Sequence, residues 1–156
     1  MNYKISQIQD IDIHELKKLI KLLKVHENNI EPLLKTDKDS IDRMFEVEMI
    51  GKNKYIYCVR SEKCLVGFIA FEESMKIDPL VAESTPALYI TAIFIKENHR
   101  KKGLAKKLIK VVEDFALKKD IRFIKLLTFS KNQLARDFYF QDGFEDYEST
   151  MIKQLF

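Results

Sequence analysis

The stretch ENHRKKGLAKKLIKVVEDFAL, residues 97–117, decides how this chain is read. Arg100, Lys101 and Lys102 crowd against Gly103, and then Leu104, Ala105, Leu108, Val111, Val112, Phe115 and Ala116 recur at three- and four-residue steps. That spacing predicts a helix whose first turn lies around residues 101–105. The first N–H groups of a helix have no internal acceptor and carry the positive end of its dipole, so a helix start is a natural phosphate site. Gly103 has no side chain to hold a ligand off, and Ala105 is small enough to let a bulky anion approach. The same lysines also read as the solvated face of a surface helix. A nucleic-acid surface is a third reading, but Glu113 and Asp114 interrupt the basic run and no aromatics are interleaved with it.

Working outward, LYITAIFI before this helix and IRFIKLLTFS after it are rich in β-branched and aromatic residues and read as strands. KYIYCVR and CLVGFIAFEE, separated by SEK, read as a hairpin. In the third extended run, STPALYITAIFIKE, Pro86 stands at the start, where a missing N–H does least harm. Toward the N-terminus, YKISQI is a weak strand. Ile13, Leu16, Leu19, Ile20 and Leu23 mark an amphipathic helix from about Asp10 to Val25, with Asp10 or Asp12 as N-cap. ENNIEPLLKTDKD reads as a break, and a second helix is expected from Asp39 or Ser40 to Gly51. NQLARDFYFQD is a helix stopped by Gly143, and STMIKQLF is expected as a closing strand. The order, β-α-α-β-β-β-α-β-α-β, is that of an α/β layered domain.

The 156 residues suit one domain spanning 1–156, with 46% hydrophobic and 33% charged residues, far from the composition of disorder. A net charge of +3, from 27 basic and 24 acidic residues, is too balanced to imply nucleic acid by itself. The opening MNYKISQIQDIDIHELKK has no basic head with an apolar core, and no apolar run approaches membrane-spanning length, so a cytoplasmic protein without a membrane partner is expected. Cys58 and Cys64 fall on neighbouring strands of the hairpin, which leaves both reduced thiols and a disulfide open. His14, His26 and His99 are scattered and no CxxC pair occurs, so no metal site is expected.

Arg100 to Ala105, Arg-Lys-Lys-Gly-Leu-Ala, fit the pattern Q/R-x-x-G-x-G/A, with Ile95 closing the preceding strand; Asn132-x-x-Ala135-x-x-Phe138-Tyr139-x-x-x-Gly143-Phe144 follows one strand later. This pairing, over about 60 residues from Leu88, resembles the GNAT superfamily of acetyl-CoA-dependent N-acetyltransferases. The resemblance implies a central mixed, mostly antiparallel sheet flanked by helices. It also implies an acyltransferase that moves the acetyl group of acetyl-CoA to a primary amine by direct attack.

Carried over residue by residue, the resemblance assigns the coenzyme A pyrophosphate to the backbone N–H groups of about Lys101, Lys102, Gly103, Leu104, Ala105 and Lys106. Arg100 and the lysines would add a screened attraction. The backbone of Ile93, Phe94 and Ile95 would face the pantetheine arm, with an amide near Ile93 polarising the thioester carbonyl. Asn132 would offer its amide to the pantetheine, or simply cap the helix that follows. Tyr139 would protonate the departing thiolate, or serve as core packing. Many relatives carry a glutamate on the strand before the phosphate-binding helix. Thr91 and Ala92 stand there in this chain, so no base is named, and a water relayed to Glu72 or Glu73 is one route for the proton. His26, Glu27 and Glu31 form a mildly acidic stretch near the expected acceptor end, and they read equally as a solvated loop. A catalytically weak acyl-CoA-binding module is the alternative function, and a closing strand left unpaired would offer a homodimer edge.

Overall fold

In a computed structural model of the chain, residues 2–34, 37–62, 64–74 and 86–155 are described. Strand β1 (Tyr3–Gln7) leads through a single 3-10 turn at Asp10–Asp12 into α1 (Ile13–Ile30). Helix α2 (Lys38–Arg43) continues as a π-helical segment, Met44–Met49, and strands β2 (Lys54–Ser61), β3 (Cys64–Ser74) and β4 (Ala87–Ile95) follow. Then come α3 (Leu104–Lys118), β5 (Phe123–Leu126) and α4 (Gln133–Gln141). Among the described residues the strands form one sheet in sequence order, antiparallel from β1 to β4 and parallel between β4 and β5.

Each face of the sheet has its own core. Leu16, Leu19, Ile20 and Leu23 of α1 and Ile41, Met44, Phe45 and Met49 of the second helical segment cover Ile56, Cys58, Phe68, Ala70, Ala92 and Phe94. On the other face, Leu104, Leu108, Ile109, Val112 and Ala116 of α3 cover Val59, Ile69, Phe71, Leu88, Ile90 and Ile95. Helical spacing on the helices and alternation on the strands sort these residues, as their periods require.

Strand β4 breaks its own alternation once. Ala70 lies opposite Ala92, but the next residue, Phe71, lies opposite Ile90, so Thr91 is an extra residue on β4. Leu88 and Ile90 face α3; past the bulge, Ala92 and Phe94 face α1 while Ile93 and Ile95 face α3. The bulge is also where the sheet opens. β5 pairs with β4 only from Ala87 to Ile90, so among the described residues the edge of β4 from Thr91 to Ile95 has no strand beside it on that side.

Several boundaries differ from those expected. Helix α1 runs to Ile30 rather than Val25, so His26 and Glu27 are helical and not part of a loop. Neither Asp10 nor Asp12 caps it through a side chain. Asp12 is buried, its Oδ2 accepting from the Gln9 N–H at 3.0 Å and from the Arg60 guanidinium. Helix α2 starts one residue before Asp39, with Asp37 as its cap, the carboxylate accepting from the Ser40 N–H at 2.7 Å. The fifth expected strand, IRFIKLLTFS, is extended in the sheet only over Phe123–Leu126.

The closing strand over STMIKQLF is not formed in residues 149–155, and Phe156 lies outside the described residues. Met151, Ile152 and Leu155 are exposed. Their spacing, +1 and then +3, is not the two-residue alternation that would give a strand one face to bury, and the β5 edge is only four residues long. The homodimer edge expected there is therefore not presented by these residues. Cys58 is buried and Cys64 exposed, both as free thiols, because their pairing partners across the hairpin are Phe68 and Ser61 rather than each other.

Candidate active site

Gly103 adopts φ +71°, and Lys101, with φ +57°, is also left-handed. A β-carbon built on Gly103 would meet nothing within 4 Å. The first backbone bond of α3 runs from the Lys107 N–H to the Gly103 carbonyl at 3.1 Å, and among the described residues no acceptor meets the N–H groups of residues 101–106. Six donors at the positive end of a 15-residue helix, with open space before the glycine, suit a polyanion such as a pyrophosphate.

The basic side chains around this start are partly engaged. Arg100 donates from Nε to the Ile95 carbonyl at 3.0 Å and lies over the Phe94 ring, which fixes the end of β4 against the helix start. Lys102 donates to the Tyr3 hydroxyl at 3.1 Å and to the Asn98 carbonyl at 3.3 Å. Lys106 stands 3.8 Å from Asp142, whose carboxylate is almost wholly buried with Oδ2 unpaired among the described residues. Lys101, Lys102 and Lys106 are all exposed, and Arg100 is half-buried.

Ile93, Phe94 and Ile95 lie on the stretch of β4 that β5 leaves unpaired. Their side chains pack into the two cores while their main chain runs along the opening, so the core packing seen here leaves the expected main-chain role open to them. Gly67 sits opposite Ile95, and a β-carbon on it would come 2.7 Å from the Phe94 carbonyl oxygen and 2.4 Å from the Ile95 side chain. Glycine is required there because β3 and β4 approach closely.

Across the opening lies α4. Asn132 caps it, the side-chain oxygen accepting from the Ala135 N–H at 3.3 Å. The capping reading of Asn132 is thus realised, and its amide NH2 is left for other partners. The Tyr139 ring packs between Phe138 and Phe144, with centroids 5.4 and 5.6 Å away. Its hydroxyl makes no hydrogen bond among the described residues, and burial, with a smaller contribution from Glu27, pushes its pKa to about 12. The phenol is therefore protonated at any physiological pH. Tyr139 also lines a cavity of about 510 Å³ bounded by Tyr89, by Leu126 to Thr128 at the end of β5, and by Arg136, with Glu145, Asp146 and Glu148 at its border.

Sequence reasoning missed that acidic border and the placement of α1. His26 is close enough to Arg100 for its pKa to be lowered by burial and by that charge, and Glu31 accepts from Lys131 at 3.0 Å. The helix therefore passes over the opening from the start of α3 toward the start of α4. Glu27 held a legible signal: it stands four residues after Leu23, continuing the buried stripe.

Proteins of known structure share this arrangement. The BH1408 protein of Bacillus halodurans, in a mutant form, superposes with a TM-score of 0.85 at 15% identity, covering 98% of this chain and 99% of that one. The aminoglycoside N-acetyltransferase AAC(6')-Iy, in complex with a bisubstrate analogue of CoA and acetylneamine, gives 0.73 at 17% identity, over 99% and 98% of the two chains. A ribosomal-protein-alanine N-acetyltransferase from Brucella melitensis gives 0.70 at 22%, over 99% and 100%. At these identities the likeness is one of fold. The sequence itself matches the family model described as the acetyltransferase (GNAT) family over residues 19–144, most of the chain. An acyltransferase that uses acetyl-CoA follows from that match, and the chain belongs to the GNAT acetyltransferase family.

Proposed function

We propose that this protein transfers the acetyl group of acetyl-CoA directly to a primary amine, with the residues around the β4–β5 opening as its active site. The observation that carries the proposal is the set of unpaired N–H groups of residues 101–106, next to a strand edge left open from Thr91 to Ile95 and opposite a protonated Tyr139.

In this reading the pyrophosphate rests on the start of α3, where Gly103 leaves room, and the pantetheine arm runs along Ile93, Phe94 and Ile95. A donor near Ile93 stabilises the charge that develops on the thioester oxygen, which is where preorganised hydrogen bonding lowers a barrier most. Asn132 offers its free NH2 group to the arm. The amine enters from the cavity that Tyr139 lines, where Glu145, Asp146 and Glu148 favour a cationic acceptor over an anionic one. When the tetrahedral intermediate collapses, the carbon–sulfur bond breaks and the Tyr139 hydroxyl gives its proton to the thiolate. Cys58 is buried, its thiol pKa pushed to about 12 by burial, so it is not placed to carry an acyl group.

The test combines thermal unfolding with and without acetyl-CoA and thiol release in the presence of primary amines. The expected result is an upward shift in Tm with acetyl-CoA, retained in Tyr139→Phe, whose turnover falls by about 100-fold or more. No shift at saturating acetyl-CoA would overturn the reading. An unaltered shift with no thiol release from any amine would instead favour the acyl-CoA-binding alternative.

A further inference from the structure

Helix α1 buries Leu16, Leu19, Ile20 and Leu23 against the sheet, and the next position on that stripe is Glu27. A carboxylate on a core-facing stripe is costly unless it is paired or used. The pairing is weak: Lys24 Nζ stands 3.7 Å away, at the outer limit of an ion pair, and the Glu27 side chain is only 25% exposed. No other residue hydrogen-bonds it among the described residues. The same helix reaches Arg100 through His26 on one side of the β4–β5 opening and Lys131 through Glu31 on the other. Glu27 lies between these two contacts in sequence, near enough to Tyr139 to influence its ionisation.

Resting on the transferase function proposed above, we propose that Glu27 accepts the proton that the acceptor ammonium must lose before its nitrogen can attack the thioester. The strand position where a base was sought holds Thr91 and Ala92, neither of which can take a proton, and α1 carries a carboxylate one turn beyond Leu23, on the stripe that packs in one cluster with Ala92 and Phe94. Burial raises the Glu27 pKa above the ordinary carboxylate value, against a smaller opposing influence from Lys24, which makes it a better base than a solvated glutamate.

The protons balance. The ammonium gives one proton to Glu27, directly or through a water, and the neutral nitrogen forms its bond to the carbonyl carbon. The carbon–sulfur bond breaks, the thiolate takes the Tyr139 proton, and the surplus proton on the new amide nitrogen restores the phenol. Glu27 then releases its proton to solvent, so one proton leaves per turnover, as conversion of an ammonium and a thioester to an amide and a thiol requires. The groups that bear on Glu27 are Lys24 on its own helix, Glu48 at the end of the π-helical segment and Tyr139 on α4.

The experiment is a pH profile of kcat/KM for the unaltered protein, Glu27→Gln and Glu27→Asp. The amine is whichever of spermidine, an alanine peptide with a free N-terminus or kanamycin the unaltered protein acetylates fastest. Glu27→Gln should keep the acetyl-CoA-induced rise in Tm and lose about 100-fold or more in kcat/KM at pH 7, the deficit shrinking at high pH where the amine is already neutral. Glu27→Asp should retain part of the activity with a displaced acidic limb. Equal activity and the same profile in Glu27→Gln would overturn the inference while leaving the transferase function standing. If Glu27→Gln does not respond to acetyl-CoA, Glu27→Asp decides, and a profile superimposable on that of the unaltered protein would overturn the inference. Absence of thiol release by the unaltered protein with all three amines would overturn the transferase function, and this inference with it.

Discussion

The same substitution made at two glycines should have opposite consequences, which separates what folds the chain from what it binds. At Gly67 a new β-carbon would lie 2.7 Å from the Phe94 carbonyl oxygen, more than half an ångström inside ordinary contact, and the oxygen belongs to main chain held in the sheet. Relief requires β3 and β4 to separate beside the Phe68–Phe94 pairing. Overpacking of this kind costs about 1–3 kcal/mol, and a domain of this size loses roughly 2–4 °C in Tm per kcal/mol. At Gly103 the new β-carbon meets nothing within 4 Å, so Gly103→Ala carries only the strain of a left-handed alanine, about 1–2 kcal/mol. Its effect should appear when ligand is added. With acetyl-CoA at a hundred times Kd, mass action stabilises the unaltered protein by about 2.7 kcal/mol, and a hundred-fold weaker Kd would leave only about 0.4 kcal/mol. Differential scanning fluorimetry of both variants across an acetyl-CoA titration reads both quantities. A full ligand shift in Gly103→Ala would refute the assignment of the pyrophosphate to the start of α3. An unchanged Tm in Gly67→Ala would refute the close approach of the two strands.

Three further outcomes are expected. The Arg60 guanidinium holds the Asp12 carboxyl below its ordinary value of 3.8. The stability this pair contributes is therefore full above that value and lost as pH falls through the lower folded pKa; Asp12→Asn should cost about 1.5–3 kcal/mol at pH 7 and show a flatter acid limb in urea unfolding. Glu27 has the reverse sign. Burial raises its pKa above 4.5, so the ionised form opposes folding at higher pH, and Glu27→Gln should raise Tm at pH 8, an advantage that disappears as pH falls below the ordinary glutamate value. Finally, iodoacetamide on the native protein at pH 8 should label Cys64 and spare Cys58, giving one adduct by mass spectrometry, whereas two would contradict the burial of Cys58.

Much of this was legible in the residues. The basic cluster before Gly103 and the stripe Leu104, Leu108 and Val112 located α3 to within one turn, because an amphipathic helix buries one face and its period is written in the chain. The hairpin and β4 were legible for the same reason. The closing strand was misjudged because STMIKQLF is apolar enough for a strand but lacks the two-residue alternation that would commit one face to a core. Asp12 does stand at the N-cap position of α1, one of the two expected, but its carboxylate makes no cap hydrogen bond because Arg60, forty-eight residues away, claims it, a pairing that no local pattern records. At the site, Gly103 and Tyr139 were legible from local motifs. Glu27 was legible only in part: its place on the buried stripe follows from Leu23, but what lies beneath α1 at that point is not recorded by its neighbours in sequence.

Thr91 sets the phase of β4. Everything before it follows one frame of alternation and everything after it the other, so Ile90 and Ala92, two residues apart in sequence, face opposite sides of the sheet. Exchanging Thr91 for another small β-branched residue leaves the frame intact. Deleting it would make Ile90 and Ala92 adjacent opposite Phe71 and Ala70, a regular ladder with every side chain kept on its present face, and would remove the bend and added twist that a bulge imposes where the pairing with β5 ends. What the extra residue contributes is therefore the course of the main chain at the opening rather than the choice of which side chains reach which core.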